Sequence, residues 1–138
     1  MAATFKLQII TPEHLFFEDN VEMVVIQSTD GEIGVLAGHI PMISTIETGE
    51  IRIKLVSGKW RNAAAGEGFA TIKQDEVLLL CQTVEWPEEI DVKRAERARI
   101  LDEEKLRQKA SLREFHLTKA SLARQMVRLR ITNKSTHN

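Results

Sequence analysis

The 51 residues from Glu88 to the end contain no glycine and no proline; all seven glycines and all three prolines stand at or before Pro87. These two residues are the strongest local breakers of regular structure. Their loss excludes a turn-rich fold for the last third and permits long helices. Tyrosine is absent and aromatics make up 5% of the chain, so no aromatic platform is available on which nucleic-acid bases could stack. With Cys81 as the single cysteine no internal disulfide can form, which suits a reducing compartment. No apolar run approaches the roughly 20 residues needed to span a bilayer; the longest, Val77 to Cys81, has five. The start, MAATFKLQII, lacks the basic and apolar regions of a secretory signal. A soluble intracellular protein is expected.

Catalytic constellations are missing too. His14, His39, His116 and His137 are scattered, without the H-x-x-x-H or C-x-x-C spacing that gathers metal ligands. There is no G-x-S-x-G elbow and no G-x-x-x-x-G-K phosphate loop. Cys81 lies in a strongly apolar stretch, where a buried, inert thiol is expected rather than a thiolate. His39, before Ile40-Pro41, is a turn residue. The chain is therefore expected not to be an enzyme, and to use no catalytic cofactor.

What is present is a division of charge. Residues 1–87 carry 6 Lys+Arg against 12 Asp+Glu, a net of −6; residues 88–107 carry 6 against 7; residues 108–138 carry 7 against 1, a net of +6. The overall −1 hides an acidic body and a basic tail, whose fields do not cancel at short range. An acidic body disfavours DNA or RNA as a partner, whereas the tail suits an acidic protein surface.

At 138 residues the chain can bury one core and carry an appendage. In the first 87 residues Phe5, Leu7 and Ile9 alternate with Lys6 and Gln8, and Ile51, Ile53 and Leu55 with Arg52 and Lys54; Val21, Met23 and Val25 form another such face, and Val77, Leu79 and Cys81 a fourth. A two-residue period marks half-buried strands. Turn signals fall between them, at Thr11-Pro12, Asp30-Gly31, Gly38, Gly49, Ser57-Gly58, Gly66 and Gly68. Closely spaced breakers with no helical stretch between them predict a β-sandwich or barrel.

After Pro87 the period changes. Asp91 is a candidate N-cap, its carboxylate accepting free first-turn amides, and Ala95, Ala98, Leu101 and Leu106 are expected on one face. Ser111-Leu112-Arg113-Glu114 reads as an S-x-x-E capping box. Beyond it Leu112, Phe115, Leu122, Met126 and Leu129 form a second apolar face. Two helices are predicted, over about 91–108 and 112–131, joined by a very short turn into a hairpin, with a polar tail, Thr132 to Asn138, that frays. The fold class expected is α+β: an antiparallel β-sandwich over 1–87 followed by a two-helix hairpin over 88–138.

The strongest local signal is Ile90-Asp91-Val92-Lys93-Arg94-Ala95. As structure alone it is a capped helix start with Arg94 solvated. As a site it sets an anionic ligand against Arg94 and the first-turn amides. Arg124 and Arg128, four apart, share a helix face, with Arg130 on another side. An antiparallel hairpin would bring Arg94 near Arg124 and Arg128, and a phosphate chain would relieve their repulsion. Alternatively Lys109, Arg113, Lys119, Arg124, Arg128 and Arg130 grip an acidic protein.

The order of parts resembles the ε subunit of the F-type ATP synthase over nearly the whole chain. The stretch Gly31-Glu32-Ile33-Gly34-Val35-Leu36-Ala37-Gly38-His39-Ile40-Pro41 is similar to the family's G-x-x-G-x-L-x-x-H-x-P segment, followed by Gly49-Glu50-Ile51 and by the I/L-D-x-x-R-A motif at 90–95. The resemblance implies a non-catalytic rotor component of a proton- or sodium-translocating complex. It is peripheral to the membrane, on the cytoplasmic side of a bacterial plasma membrane or the stromal side of a thylakoid. Its sandwich would bind the γ subunit and rest on the ring of c subunits. Its hairpin, when extended, would inhibit ATP hydrolysis by meeting acidic segments of the α and β subunits of the head, through Arg113, Lys119, Arg124, Arg128 and Arg130. In the compact hairpin ATP is implied as a regulatory ligand, held by Glu85, Ile90, Asp91, Arg94, Ala95, Arg124 and Arg128. One further arginine of strongly binding members falls in the register of Leu101, with Arg97 and Arg99 nearby. A free-standing nucleotide-binding sensor is the other reading.

Overall fold

A computed structural model describes the backbone of residues 3–107 and 112–137 and the side chains of 3–106 and 117–134. The first unit, Met1–Val84, is built of strands: β1 (Phe5–Ile10), β2 (Leu15–Ser28), β3 (Gly31–Leu36), β4 (Met42–Ile46), β5 (Gly49–Leu55), β6 (Trp60–Ala65), β7 (Gly68–Ile72), β8 (Glu76–Cys81) and the short β9 (Val84–Glu85). They form one ladder in the order β4-β7-β8-β1-β2-β5-β6-β9, with β3 paired to β2. All pairings with recorded register are antiparallel except β1 with β8. The ladder curls over: Glu47, just past β4, donates its amide to the Gln27 carbonyl of β2 at 2.9 Å.

Alternation explains the core. Phe5, Leu7 and Ile9 of β1, Ile51 and Ile53 of β5, and Val77, Leu79 and Cys81 of β8 are all buried, as their two-residue period predicts; Leu55, expected with Ile51 and Ile53, is only half-buried at the end of β5. The face expected on β2 is corrected. Val21 is buried and Met23 is only half-buried, while Val24, Val25 and Ile26 are all buried. The pairing of β2 with β5 shifts register between Val21 and Met23; such a bulge moves the inward phase by one residue, which no period reveals.

Cys81 is buried and unpaired, and desolvation pushes its thiol from the ordinary 9.0 to about 12. The folded chain therefore keeps this proton at a pH where the unfolded chain releases it. That contribution to stability is whole below the ordinary thiol range and is lost as pH rises through it toward 12. Iodoacetamide at about pH 9 is expected to label Cys81 only as fast as the chain unfolds; labelling of the native protein at the rate of the denatured one would contradict this.

The second unit, Glu85–Asn138, opens with a short 3-10 turn, Pro87–Glu89, and continues as α1 (Val92–Arg107) and α2 (Leu112–His137). The helices pack against one another, and α2 also meets the turn. The expected capping box, Ser111 to Glu114, lies outside the described side chains. Three expectations are corrected. Leu101 is 57% exposed whereas Asp102 is buried: at about 100° per residue Leu101 is some 240° from Ala95, while Asp102 returns to within about 20° of it. Met126 is 48% exposed while Val127 and Ile131, four apart, are buried, so the apolar stripe of α2 runs one residue later than expected. The tail does not fray at Thr132. The helix continues to His137, and the Thr132 hydroxyl donates to the Arg128 carbonyl at 2.8 Å.

Candidate functional site

The start of α1 is set by Asp91. Its Oδ1 accepts the Arg94 amide at 3.1 Å and its carbonyl accepts the Ala95 amide at 2.9 Å, the two bonds of an N-cap. Upstream, the Ile90 amide donates to the Pro87 carbonyl at 3.2 Å, which holds Ile90 half-buried at the entry. Ala95 is buried and Arg94 exposed. A small side chain on the inward face thus lies beside a cation on the outward one, both next to a positive helix end.

From α2, Arg128 Nη2 donates to Glu85 Oε1 at 2.5 Å. Both side chains are mostly buried, and the bond ties α2 to the segment that leads into α1. Of the seven residues expected to hold a nucleotide, the structure brings Glu85 and Arg128 into direct contact and sets Ile90, Asp91, Arg94 and Ala95 on one cap. Arg124 is half-buried, one turn before Arg128. No bond links Arg94 to Arg124 or Arg128 among the described residues, and neither the Arg94 nor the Arg124 guanidinium enters an ion pair there. Arg99 is already engaged: Nη2 donates to Glu96 and Nη1 to Glu103 at 3.5 Å, and Glu96 pushes the Arg99 pKa further up. Leu101 points outward. The set fits an anion in charge, with two guanidiniums free of ion pairs among the described residues and a third shared with a carboxylate.

Of the residues expected to meet an acidic protein, Lys119 and Arg130 are exposed on α2, while Arg124 and Arg128 are half-buried. The side chain of Arg113 lies outside the described residues.

Sequence reading missed a second surface. On the outward face of the sandwich Phe69 pairs with Leu80, and Leu80 with Ile10. Phe69 is 58%, Leu80 44% and, in the next row, Ile43 75% exposed. Strand partners share a face, so Phe69, Leu80 and Ile10 make a continuous apolar row across β7, β8 and β1; the register of β1 with β2 shifts between Ile9 and Ile10, which takes the exposed Leu15 out of that row. The sequence held its signal in the adjacent Leu79 and Leu80, of which alternation can bury only one.

Residues 4–87 match the family "ATP synthase, Delta/Epsilon chain, beta-sandwich domain", and residues 88–133 match "ATP synthase, Delta/Epsilon chain, long alpha-helix domain". The chain is 46% identical over 132 residues to the ATP synthase epsilon chain of Ruminiclostridium cellulolyticum, covering 96% of this chain and 98% of that one. It is 42% identical over 99 residues to the sodium ion specific epsilon chain of Acetobacterium woodii, covering 72% and 74%. Its fold is similar to that of a chain in the Euglena gracilis mitochondrial ATP synthase, with a TM-score of 0.80 at 19% identity, covering 100% of this chain and 84% of that one.

Proposed function

The chain belongs to the ATP synthase delta/epsilon family, and we propose that it serves in the central stalk of a rotary ATP synthase, where the sandwich binds the γ subunit and rests on the c ring while the hairpin restrains ATP hydrolysis. It is an accessory chain of the complex and not its catalyst. The observation that carries the sandwich's part is the apolar row of Phe69, Leu80 and Ile10, with Ile43 exposed in the next row. An exposed row of large apolar side chains in register across neighbouring strands gains free energy when a protein partner removes it from water. With both parts held by the complex, the chain lies peripheral to the membrane.

The hairpin's part is supported by charge. The 7 Lys+Arg against 1 Asp+Glu of residues 108–138, with Lys119 and Arg130 exposed on α2, suit acidic segments of the α and β subunits. The anion-fitting set at the start of α1 suits ATP as the ligand that favours the packed hairpin. A ligand shifts such an equilibrium only by its differential affinity for the two states. Arg94 and Arg124, joined by Arg128, would hold the phosphates, with the cap at Asp91 keeping the first turn in place.

Reconstitution tests the proposal. Full-length chain carrying Leu80→Lys is expected to lose co-elution with γ. The double substitution Lys119→Glu with Arg130→Glu is expected to keep co-elution and raise ATP hydrolysis by the assembled head severalfold. If the unsubstituted chain fails to co-elute with γ, the stalk reading is lost and the free-standing sensor returns. If the charge reversal leaves hydrolysis unchanged, the brake is lost and the stalk role stands.

A further inference from the structure

The buried stripe of α1 is not wholly apolar. Asp102 is 9% exposed, in line with Ala95 on the face that the helix turns inward, and its Oδ2 is buried with no hydrogen-bond partner among the described residues. On α2, Gln125 is also 9% exposed. The cation one turn before Asp102 on its own helix, Arg99, does not neutralise it: two of its nitrogens go to Glu96 and Glu103, and its Nε is buried without a partner. One turn after, Lys105 is exposed. A carboxylate with one oxygen buried and without a donor is penalised, and an apolar residue of similar size at such a place is often stabilising.

We propose that Asp102 is a release element built into the hairpin: its buried Oδ2, without a donor among the described residues, weakens the packing of α1 on α2, and so keeps the pair of helices openable under ordinary conditions. The penalty exists only while the helices are packed, because a separated α1 returns Asp102 to water. The element thus acts on the equilibrium between packed and separated helices, and not on helix formation.

Hydrogen exchange of the full-length chain, without partners or nucleotide, tests this. Asp102→Leu is expected to slow exchange of the slowest amides in 92–106 and 117–134 by about tenfold, leaving sandwich amides unchanged. Asp102→Asn removes the charge at nearly the same shape and helix propensity, and is expected to slow them severalfold; it decides the matter should the leucine variant misfold. Glu104→Gln, at an exposed position of the same helix, is expected to change nothing. Helical exchange as fast in Asp102→Asn as in the unsubstituted chain, or equal slowing by Glu104→Gln, overturns the proposal. Because no ATP synthase component is present, its failure is distinct from failure of the stalk or brake.

Discussion

Gly68→Ala is expected to destabilise the sandwich severely and to lower its melting temperature by roughly tens of degrees. A Cβ built at Gly68 would lie 1.9 Å from the Leu80 carbonyl oxygen and 2.8 Å from the Cys81 Cα. Both are backbone atoms of the neighbouring strand β8, so no rotamer change relieves the clash. Retreat is blocked as well: the Gln82 amide donates to Glu67 O at 3.0 Å and the Gly66 amide to Thr83 O at 2.8 Å, holding the two chains together just beside it. Relief requires breaking that end of the β7–β8 ladder, a cost of about 4 kcal/mol or more, in a protein whose whole stability is of order 5–15 kcal/mol. Gly31 provides the contrast. Its φ is +118° and an added Cβ meets nothing within 4 Å, so Gly31→Ala is a conformational cost of about 1–3 kcal/mol. Thermal melts followed by circular dichroism separate the two; a Gly68→Ala melt within a few degrees of the unsubstituted chain would contradict the close approach.

Arg94→Ala combined with Arg128→Ala is expected to weaken ATP binding by about 100-fold or more, from two charge-assisted contacts of about 1.5–3 kcal/mol each. Arg94 has no ion pair to lose among the described residues, so its removal acts on the ligand. Arg128 is different, because it already meets Glu85 at 2.5 Å. ATP must share it or take it from that carboxylate, and its loss leaves Glu85 without this partner. Hydrogen exchange across 92–106 therefore needs to accompany the titration, to show that the double variant still packs its helices. Calorimetry is expected to show saturable binding to the unsubstituted chain and none to the variant at the same millimolar ATP. If the unsubstituted chain itself shows no saturable heat at millimolar ATP, the nucleotide reading of the helix start is wrong.

The site was legible where chemistry is local. Asp91 caps α1 because a carboxylate three residues before Arg94 reaches the amide there, whatever lies elsewhere in the fold. Glu85 entered only through the family resemblance, and its bond to Arg128 was not anticipated. These residues are 43 apart, and no period or propensity links them. Arg99 was near the register of a binding arginine, yet two glutamates, at i−3 and i+4, hold it. Those spacings were visible in the sequence and are the ordinary ones for helix ion pairs.

From composition and period alone came the change of architecture at Pro87, the buried faces of β1, β5 and β8, the inertness of Cys81 and the opposed charges of body and tail. Each depends on a residue and its near neighbours, the range over which turn chemistry, alternation and capping act. Packing between distant segments settled the rest. The bulge in β2 re-aimed a strand because β5 pairs one residue out of step, and the apolar row became a surface because three strands brought their outward residues together. Asp102 was enclosed in place of Leu101 because a helix turned against a partner buries the positions that return to the same angle, charged or not. Such outcomes arise from contacts between residues far apart in the chain, which a sequence lists but does not bring together.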